Sequence, residues 1–146
     1  MSLLKSNYII LKDFNLLIEC HSGSLDLKSY INFVKRTTLD PLFSKNMNYL
    51  IDLSNIVFTA SIDDITKYNT FSDENFTSQI KRKVALVTNS PNQMVFTTLF
   101  KTGNTQKLKE IEIFSTKESA LEWLNSSLDK NEIFSVYSSL KEYSLK

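Results

Sequence analysis

The residues best suited to chemistry are few and lie in scattered places. Cys20 and His21 are the only cysteine and the only histidine among the 146 residues. Because neighbouring residues of a strand point to opposite faces of the sheet, this pair predicts neither a zinc site nor a Cys–His nucleophile. We interpret Cys20 as a buried, inert thiol and His21 as an ordinary surface histidine.

Two pairs of carboxylates, Asp63 with Asp64 and Glu110 with Glu112, have a composition suited to acid–base catalysis. Neither pair has partners of known geometry, so we interpret them as helix-start charges and solvent-face charges. The chain contains only two glycines, which is too few for a Gly-rich loop around a phosphate. The sequence therefore predicts a protein that is not an enzyme and has no metal and no cofactor.

The charge balance gives no general attraction to nucleic acid. Seventeen Lys and Arg residues oppose sixteen Asp and Glu residues, for a net charge of +1. The basic residues at 81–83, with Lys101, Lys107 and Lys109, have acidic residues among them and no ladder of aromatic residues. We interpret this basic cluster as a solvated face, and we expect no nucleic-acid partner.

Length and hydropathy indicate one domain outside the membrane. A chain of 146 residues corresponds to about one domain, so we predict a single domain over 1–146. Charged residues interrupt the apolar amino-terminal stretch, and no apolar run is long enough to cross a bilayer. A lone cysteine is typical of a reducing compartment, so we expect a cytoplasmic protein with no integral membrane segment.

Strand and helix patterns alternate along most of the chain. Two β-prone runs, 8–11 and 16–20, are spaced as a hairpin, and Ser24 is positioned to cap a following helix. The apolar run 49–51 predicts a buried strand that ends at Asp52, with Ile56 and Phe58 in the connection that follows.

Further helices are expected over 62–71, over 92–101 and from a Ser115/Glu118 capping box to Leu128, with strands over 84–87 and 111–114. This alternation is typical of an α/β fold. It predicts a mixed sheet that begins with an amino-terminal hairpin and continues with parallel strands.

The carboxyl-terminal segment has a helical stripe of apolar residues. The stripe is a candidate interaction surface and consists of Ile133, Val136, Tyr137, Leu140 and Tyr143. Such a stripe requires a partner surface, because burying each side chain is worth roughly 1.5–3 kcal/mol. Two alternatives stay open: the helix docks on its own domain, or it pairs with a second copy in a homodimer.

The stretch from Leu50 to Ser61 resembles the central motif of STAS domains, a group that includes the anti-sigma-factor antagonists. The segments 83–87 and 113–124 are similar to the end of SpoIIAA-like proteins, also called STAS/SEC14 domains. The resemblance covers 16–128. It implies a SpoIIAA-like core over about 8–128, with an added helix at about 131–145.

The turn after the central strand departs from the antagonists. Their turn carries a phosphorylated serine, and Ile62 stands at that position in this chain. Ser61 lies three residues before Asp64, which is the spacing of a capping box, and a phosphate on Ser61 would lie near Asp63 and Asp64. We therefore interpret Ser61 as a helix cap and predict a chain without the phospho-acceptor serine.

The resemblance implies a non-catalytic regulatory or protein-interaction module that binds a protein partner or a second copy of itself. The chain also has ten Phe, six Tyr and one Trp, more aromatic residues than a single packed layer needs. We therefore keep a second hypothesis, a carrier that binds a small apolar ligand in a pocket between sheet and helices.

Overall fold

The computed structural model describes residues 3–124 and 130–145. The strands are β1 (Lys5–Leu11), β2 (Leu16–Leu25), β3 (Asn48–Phe58), β4 (Arg82–Val87) and β5 (Lys109–Phe114). The helices are α1 (Leu27–Thr38), α2 (Ile62–Asn75), α3 (Pro91–Thr102), α4 (Lys117–Leu124) and α5 (Lys130–Leu145). This order matches the predicted hairpin, the alternation and the added terminal helix.

The five strands form one mixed sheet in the order β1-β2-β3-β4-β5. β1 pairs antiparallel with β2, as the predicted hairpin requires, and all other neighbours are parallel. The hairpin turns through a 3-10 segment at Lys12–Phe14 and through Asn15, whose φ of 52° lies in the left-handed region.

Strands β2 and β3 extend beyond the ends that the sequence predicted. β3 does not end at Asp52 but continues to Phe58, because its last residues pair with the end of β2. Ile56 and Phe58 therefore lie in a strand rather than in a connection. β2 continues through Ser24 to Leu25, so the predicted Ser24 cap is wrong; the Asp26 side chain instead accepts the Ser29 amide at 2.8 Å.

Two layers of helices cover the two faces of the sheet. Helices α4 and α5 pack on one face, in a cluster of buried residues that includes Leu16, Ile18, Leu50 and Val87. Side chains of α1, α2 and α3 pack on the other face, against buried residues that include Ile51, Val84, Leu86 and Ile111. The alternation of strand side chains separates the two sets, with one register shift between β2 and β3 after Asp52, so that Leu53 and Ile56 lie on the same face.

Hydroxyl caps begin the helices on both faces. The Ser61 side chain accepts the Asp64 amide at 3.2 Å and the Asp64 carboxylate accepts the Ser61 amide at 3.0 Å, which confirms the predicted capping box. On α4 the cap is Thr116, which accepts the Ser119 amide at 3.2 Å, rather than the predicted Ser115. The predicted continuation of α4 to Leu128 lies outside the described residues.

The terminal helix docks on its own sheet. Ile133, Tyr137 and Leu140 are buried in the α4/α5 cluster, and α5 packs across β1 and β2. These three side chains are therefore covered and do not form an exposed interaction surface, which corrects that hypothesis in favour of intrachain docking. Val136 is half-buried, and the side chain of Tyr143 lies outside the described residues.

Candidate ligand cavity

A cavity of about 110 Å³ lies between the sheet and the layer formed by α1, α2 and α3. Its lining runs from the carboxyl end of β3 at Phe58 to the first residues of β4 and β5, Arg82 and Lys109. The cavity therefore follows most of the length of the sheet.

Most of the lining is apolar. The apolar side chains are Leu25, Leu27, Val34, Ile51, Leu53, Phe58, Ala60, Ile65, Phe76, Val84, Leu86, Phe96 and Phe100. Near one end the rings of Phe58 and Phe96 stack with centroids 4.9 Å apart. Farther in, the ring of Tyr68 contacts Tyr30 at 5.3 Å and Phe100 at 5.7 Å. Such a lining, with a few polar groups, is typical of a small-molecule site.

Two cationic side chains mark the other end of the cavity. Arg82 is 3% exposed and Lys109 is 5% exposed, and the two residues pair across β4 and β5. Arg82 Nη2 donates to the Phe76 carbonyl at 2.6 Å, at the end of α2. Lys109 Nζ lies 3.2 Å from Ser72 Oγ and 5.3 Å from the centre of the Phe100 ring.

Burial changes the ionisation of the side chains at this end. Burial, and then the nearby Arg82 guanidinium, lowers the pKa of Lys109 to about 8. Burial likewise lowers the pKa of Arg82, and it raises the pKa values of Tyr49 and Tyr68 above the ordinary tyrosine value. Near neutral pH these groups present two cations and two neutral phenols to the cavity.

A chain of hydrogen bonds crosses the wall beside the cavity. Glu19 lines the cavity, and its Oε1 accepts from Tyr30 at 2.9 Å and contacts His21 Nε2 at 2.8 Å. His21 Nδ1 contacts Ser6 Oγ at 2.7 Å. His21 is buried, so the prediction of a surface histidine is wrong; it follows Leu17 and Glu19 at every second residue of β2, all on the α1–α3 side.

Ser6, His21 and Glu19 have the composition of a nucleophile, base and orienting acid. Ser6 lies on the edge strand β1 and is not part of the cavity lining. Its hydroxyl therefore does not face the space in which a ligand would lie.

The basic cluster of the sequence separates into buried and surface members. Arg82 and Lys109 are buried, which corrects the prediction of a solvated face. Lys81 pairs with Glu110, and Lys101 pairs with Glu112 at 2.9 Å, so the two glutamates are surface charges as predicted. The alternation of side chains along β4 could have predicted this burial, because Arg82 lies on the same face as Val84 and Leu86.

The turn after β3 lies at the opposite end of the cavity from the two cations. Asp64, which completes the cap of α2, lines the cavity, and Ala60 lies beside it. Ser61, Ile62 and Asp63 are exposed and are not part of the lining. Of the four turn residues named from the sequence, Asp64 alone lines the cavity, and the polar end was not predicted.

No family model and no curated protein sequence matches this chain. A structural match is the crystal structure of an uncharacterised DUF3478-family protein with a SpoIIAA-like fold from Shewanella loihica PV-4. The match covers 85% of this chain and 97% of that chain, with 19% sequence identity and a TM-score of 0.54.

This chain has a SpoIIAA-like fold. At 19% identity the likeness establishes the architecture, which is the mixed sheet with helices on both faces. Within residues 3–124 and 130–145, no helix combines the length and apolar character needed to cross a bilayer.

Proposed function

We propose that this SpoIIAA-like protein is a non-catalytic carrier that binds a small, mainly apolar ligand between its sheet and helices α1, α2 and α3. The observation that supports this proposal is the cavity of about 110 Å³ lined mostly by aliphatic and aromatic side chains. Apolar cavities of this order hold small organic molecules, since one of about 150 Å³ binds benzene.

Binding without chemistry fits the arrangement of polar groups. The Glu19 carboxylate already accepts from Tyr30 and contacts His21, and Ser6 lies beyond the lining. A nucleophile must lie within reach of the bound reactant, and Ser6 does not. The hydrogen-bond chain therefore serves to fix the cavity wall.

Native mass spectrometry of the purified protein tests the carrier function. We expect a bound small molecule that is released on denaturation and is then detected by its own mass. Titration of ligand-free protein with small apolar compounds should restore the bound state. Failure to retain or rebind any such compound would contradict the carrier function.

Val84 and Val87 provide a matched pair of variants on β4. Both are 5% exposed, and they lie on opposite faces of the sheet, with Val84 in the cavity lining. Val84→Phe should fill the cavity and abolish ligand binding, whereas Val84→Ala should keep it. Val84→Ala and Val87→Ala should each destabilise the fold by about 1–3 kcal/mol, and Val87→Ala should leave the ligand affinity unchanged. Equal ligand affinity in all three variants would show that the ligand binds elsewhere.

An interaction module is the second candidate function. Four exposed apolar side chains, which we call the apolar rim, lie where β3 ends and where α2 and α3 begin; they are Val57, Ile62, Met94 and Val95. Contiguous exposed apolar surface is typical of association sites. If the rim pairs two copies, the combined change Ile62→Lys and Val95→Lys should convert a dimer into a monomer in sedimentation velocity. A wild-type monomer would argue against self-association.

We also propose that Ser61 is not a phosphorylation switch. Its hydroxyl already accepts the Asp64 amide, and Asp63 and Asp64 would repel an added phosphate. Phosphopeptide mapping of the protein from its host should find Ser61 unmodified. Stoichiometric phosphate on Ser61 would contradict this proposal.

A further inference from the structure

We propose that the ligand is an organic anion whose carboxylate binds Arg82 and Lys109 and whose short apolar body lies along the inner side chains of the cavity. This inference rests on the proposed carrier function and adds the chemical class of the ligand. Four observations support it: the buried like charges, the engaged carboxylates around them, an unpartnered donor, and the size of the apolar space.

The two cations are buried next to each other and, among the described residues, neither has a carboxylate within ion-pair distance. Arg82 and Lys109 occupy paired positions at the start of neighbouring parallel strands. Burying like charges together is unfavourable unless an anion compensates them, so this end of the cavity favours a negative ligand.

Two acidic groups on this face, one of the cavity lining and one whose charge acts on Lys109, already have partners. Glu19 faces the cavity, and its Oε1 accepts from Tyr30 and contacts His21. Asp73 Oδ1 accepts from Gln106 Nε2 at 2.8 Å, and its Oδ2 accepts from Thr105 at 3.0 Å. The phenols of Tyr49 and Tyr68 stay neutral near pH 7, because burial raises their pKa values. These groups leave the polar end without a dedicated counter-ion.

The cations also keep donors that a carboxylate would satisfy. Among the described residues the buried Arg82 Nε has no hydrogen-bond partner, although Nη2 of the same guanidinium donates to the Phe76 carbonyl. Within the described residues Lys109 Nζ makes one hydrogen bond, to Ser72 Oγ, and an ammonium group carries three protons. A carboxylate has two oxygens that accept charge-assisted hydrogen bonds from such groups. The free donors and the positive charge of this end therefore both favour a ligand that carries a carboxylate.

The apolar space limits the body of this ligand. A cavity of about 110 Å³ is somewhat smaller than one of about 150 Å³ that holds benzene. The body should therefore contain on the order of four to six carbon atoms. A short-chain or aryl carboxylate meets both requirements.

Isothermal titration calorimetry on the full, ligand-free chain tests this inference. The probes are butanoate, hexanoate and octanoate, each compared with the primary alcohol of the same length, near pH 7, where Lys109 is protonated. We expect at least one carboxylate to bind about tenfold or more tightly than its alcohol, because only the carboxylate gains charge-assisted hydrogen bonds.

Two lysine variants provide the matched comparison. Lys109→Met removes one of the two cavity cations, whereas Lys83→Met removes a lysine of β4 that donates to the Trp123 carbonyl on the other face. Lys109→Met should weaken carboxylate binding about tenfold and leave alcohol binding unchanged, and Lys83→Met should change neither. Arg82→Gln provides a second cavity variant, checked for folding by circular dichroism because Arg82 also contacts the end of α2.

Three results would overturn the inference in distinguishable ways. If alcohols bind the wild type as tightly as carboxylates do, the ligand is apolar but not anionic, and the carrier function stands. If Lys109→Met and folded Arg82→Gln both bind carboxylates like the wild type, the anion site lies elsewhere. If neither class of probe binds, the carrier function itself fails.

Discussion

The two faces of the sheet differ in what they bury. On the α4/α5 face, strand side chains such as Ile18, Leu50 and Val87 form a core with few polar groups, and the Tyr137 hydroxyl donates to Asp52 within it. On the opposite face, mainly apolar side chains line a cavity that has Arg82 and Lys109 at one end. One face of the sheet thus has a closely packed core, and the other face has a cavity with charged side chains at one end.

Burial of a polar side chain does not by itself identify a ligand site in this protein. Tyr137 and Lys109 are both buried, but Tyr137 has a specific acceptor and closes its layer. Burial, and then the Asp52 carboxylate, raises the pKa of Tyr137, so its phenol remains a donor. Lys109 instead has a lowered pKa and lines an open space. The candidate site is therefore the region in which buried cationic side chains line a cavity.

The largest expected effect comes from comparing one tyrosine on each face. Tyr137→Ala should destabilise the protein by about 3–5 kcal/mol, because it empties a packed layer and removes a donor from Asp52. Tyr68→Ala should cost only about 1–2 kcal/mol, because Tyr68 is half-buried beside an existing cavity. Urea denaturation measures both variants. Equal losses would remove the distinction between a packed and a hollow layer.

A smaller effect is expected from the buried Lys109. Its ordinary pKa of 10.5 applies to the unfolded chain, whereas the folded pKa is about 8. Between these values the unfolded chain binds more protons, so the free energy of unfolding should increase with pH. For ligand-free protein we expect Lys109 to contribute a gain of about 1 kcal/mol between about pH 8 and about pH 9, below the range in which the tyrosines titrate.

Lys109→Met should flatten this rise in stability, and Lys83→Met, on the other face, should keep it. Denaturant midpoints across the pH series provide the measurement. A Lys109→Met variant whose stability changes with pH in the same way as that of the wild type would contradict the burial of a charged Lys109.

The smallest expected effect concerns the caps of two helices on opposite faces. Ser61→Ala and Thr116→Ala each remove a side-chain acceptor from the start of a helix, so each should cost about 1 kcal/mol. Only Ser61→Ala should also change ligand affinity, because its partner Asp64 lines the cavity. Thermal unfolding and calorimetry on the two variants test this contrast. A Thr116→Ala variant with altered affinity would contradict the separation of the faces.

Local patterns predicted most of the architecture. Apolar runs and caps located the hairpin, the later strands and the helices, because these signals act within a few residues. The ends of β2 and β3 were missed, since the two strands extend each other by pairing through Leu25 and Phe58. Only tertiary contact adds these residues to the sheet.

The polar end of the site was missed for a different reason. Arg82 and Lys109 were interpreted as surface charges because such residues are seldom fully buried. The alternation of side chains along β4 and β5 places both residues on the same face as the buried apolar residues. The interpretation nevertheless gave more weight to their charge than to this alternation. His21 was misplaced in the same way, since it shares the phase of Leu17 and Glu19. Alternation deserves more weight than polarity in strands covered on both faces.

Methyl NMR during titration with hexanoate can show whether the α1–α3 face binds the ligand while the α4/α5 face is structural. Methyl resonances of Ile51, Val84 and Leu86, which line the cavity, should shift and saturate together, whereas those of Ile18 and Val87 should stay in place. Saturating shifts confined to Ile18 and Val87, or no saturable shift on either face, would contradict the account.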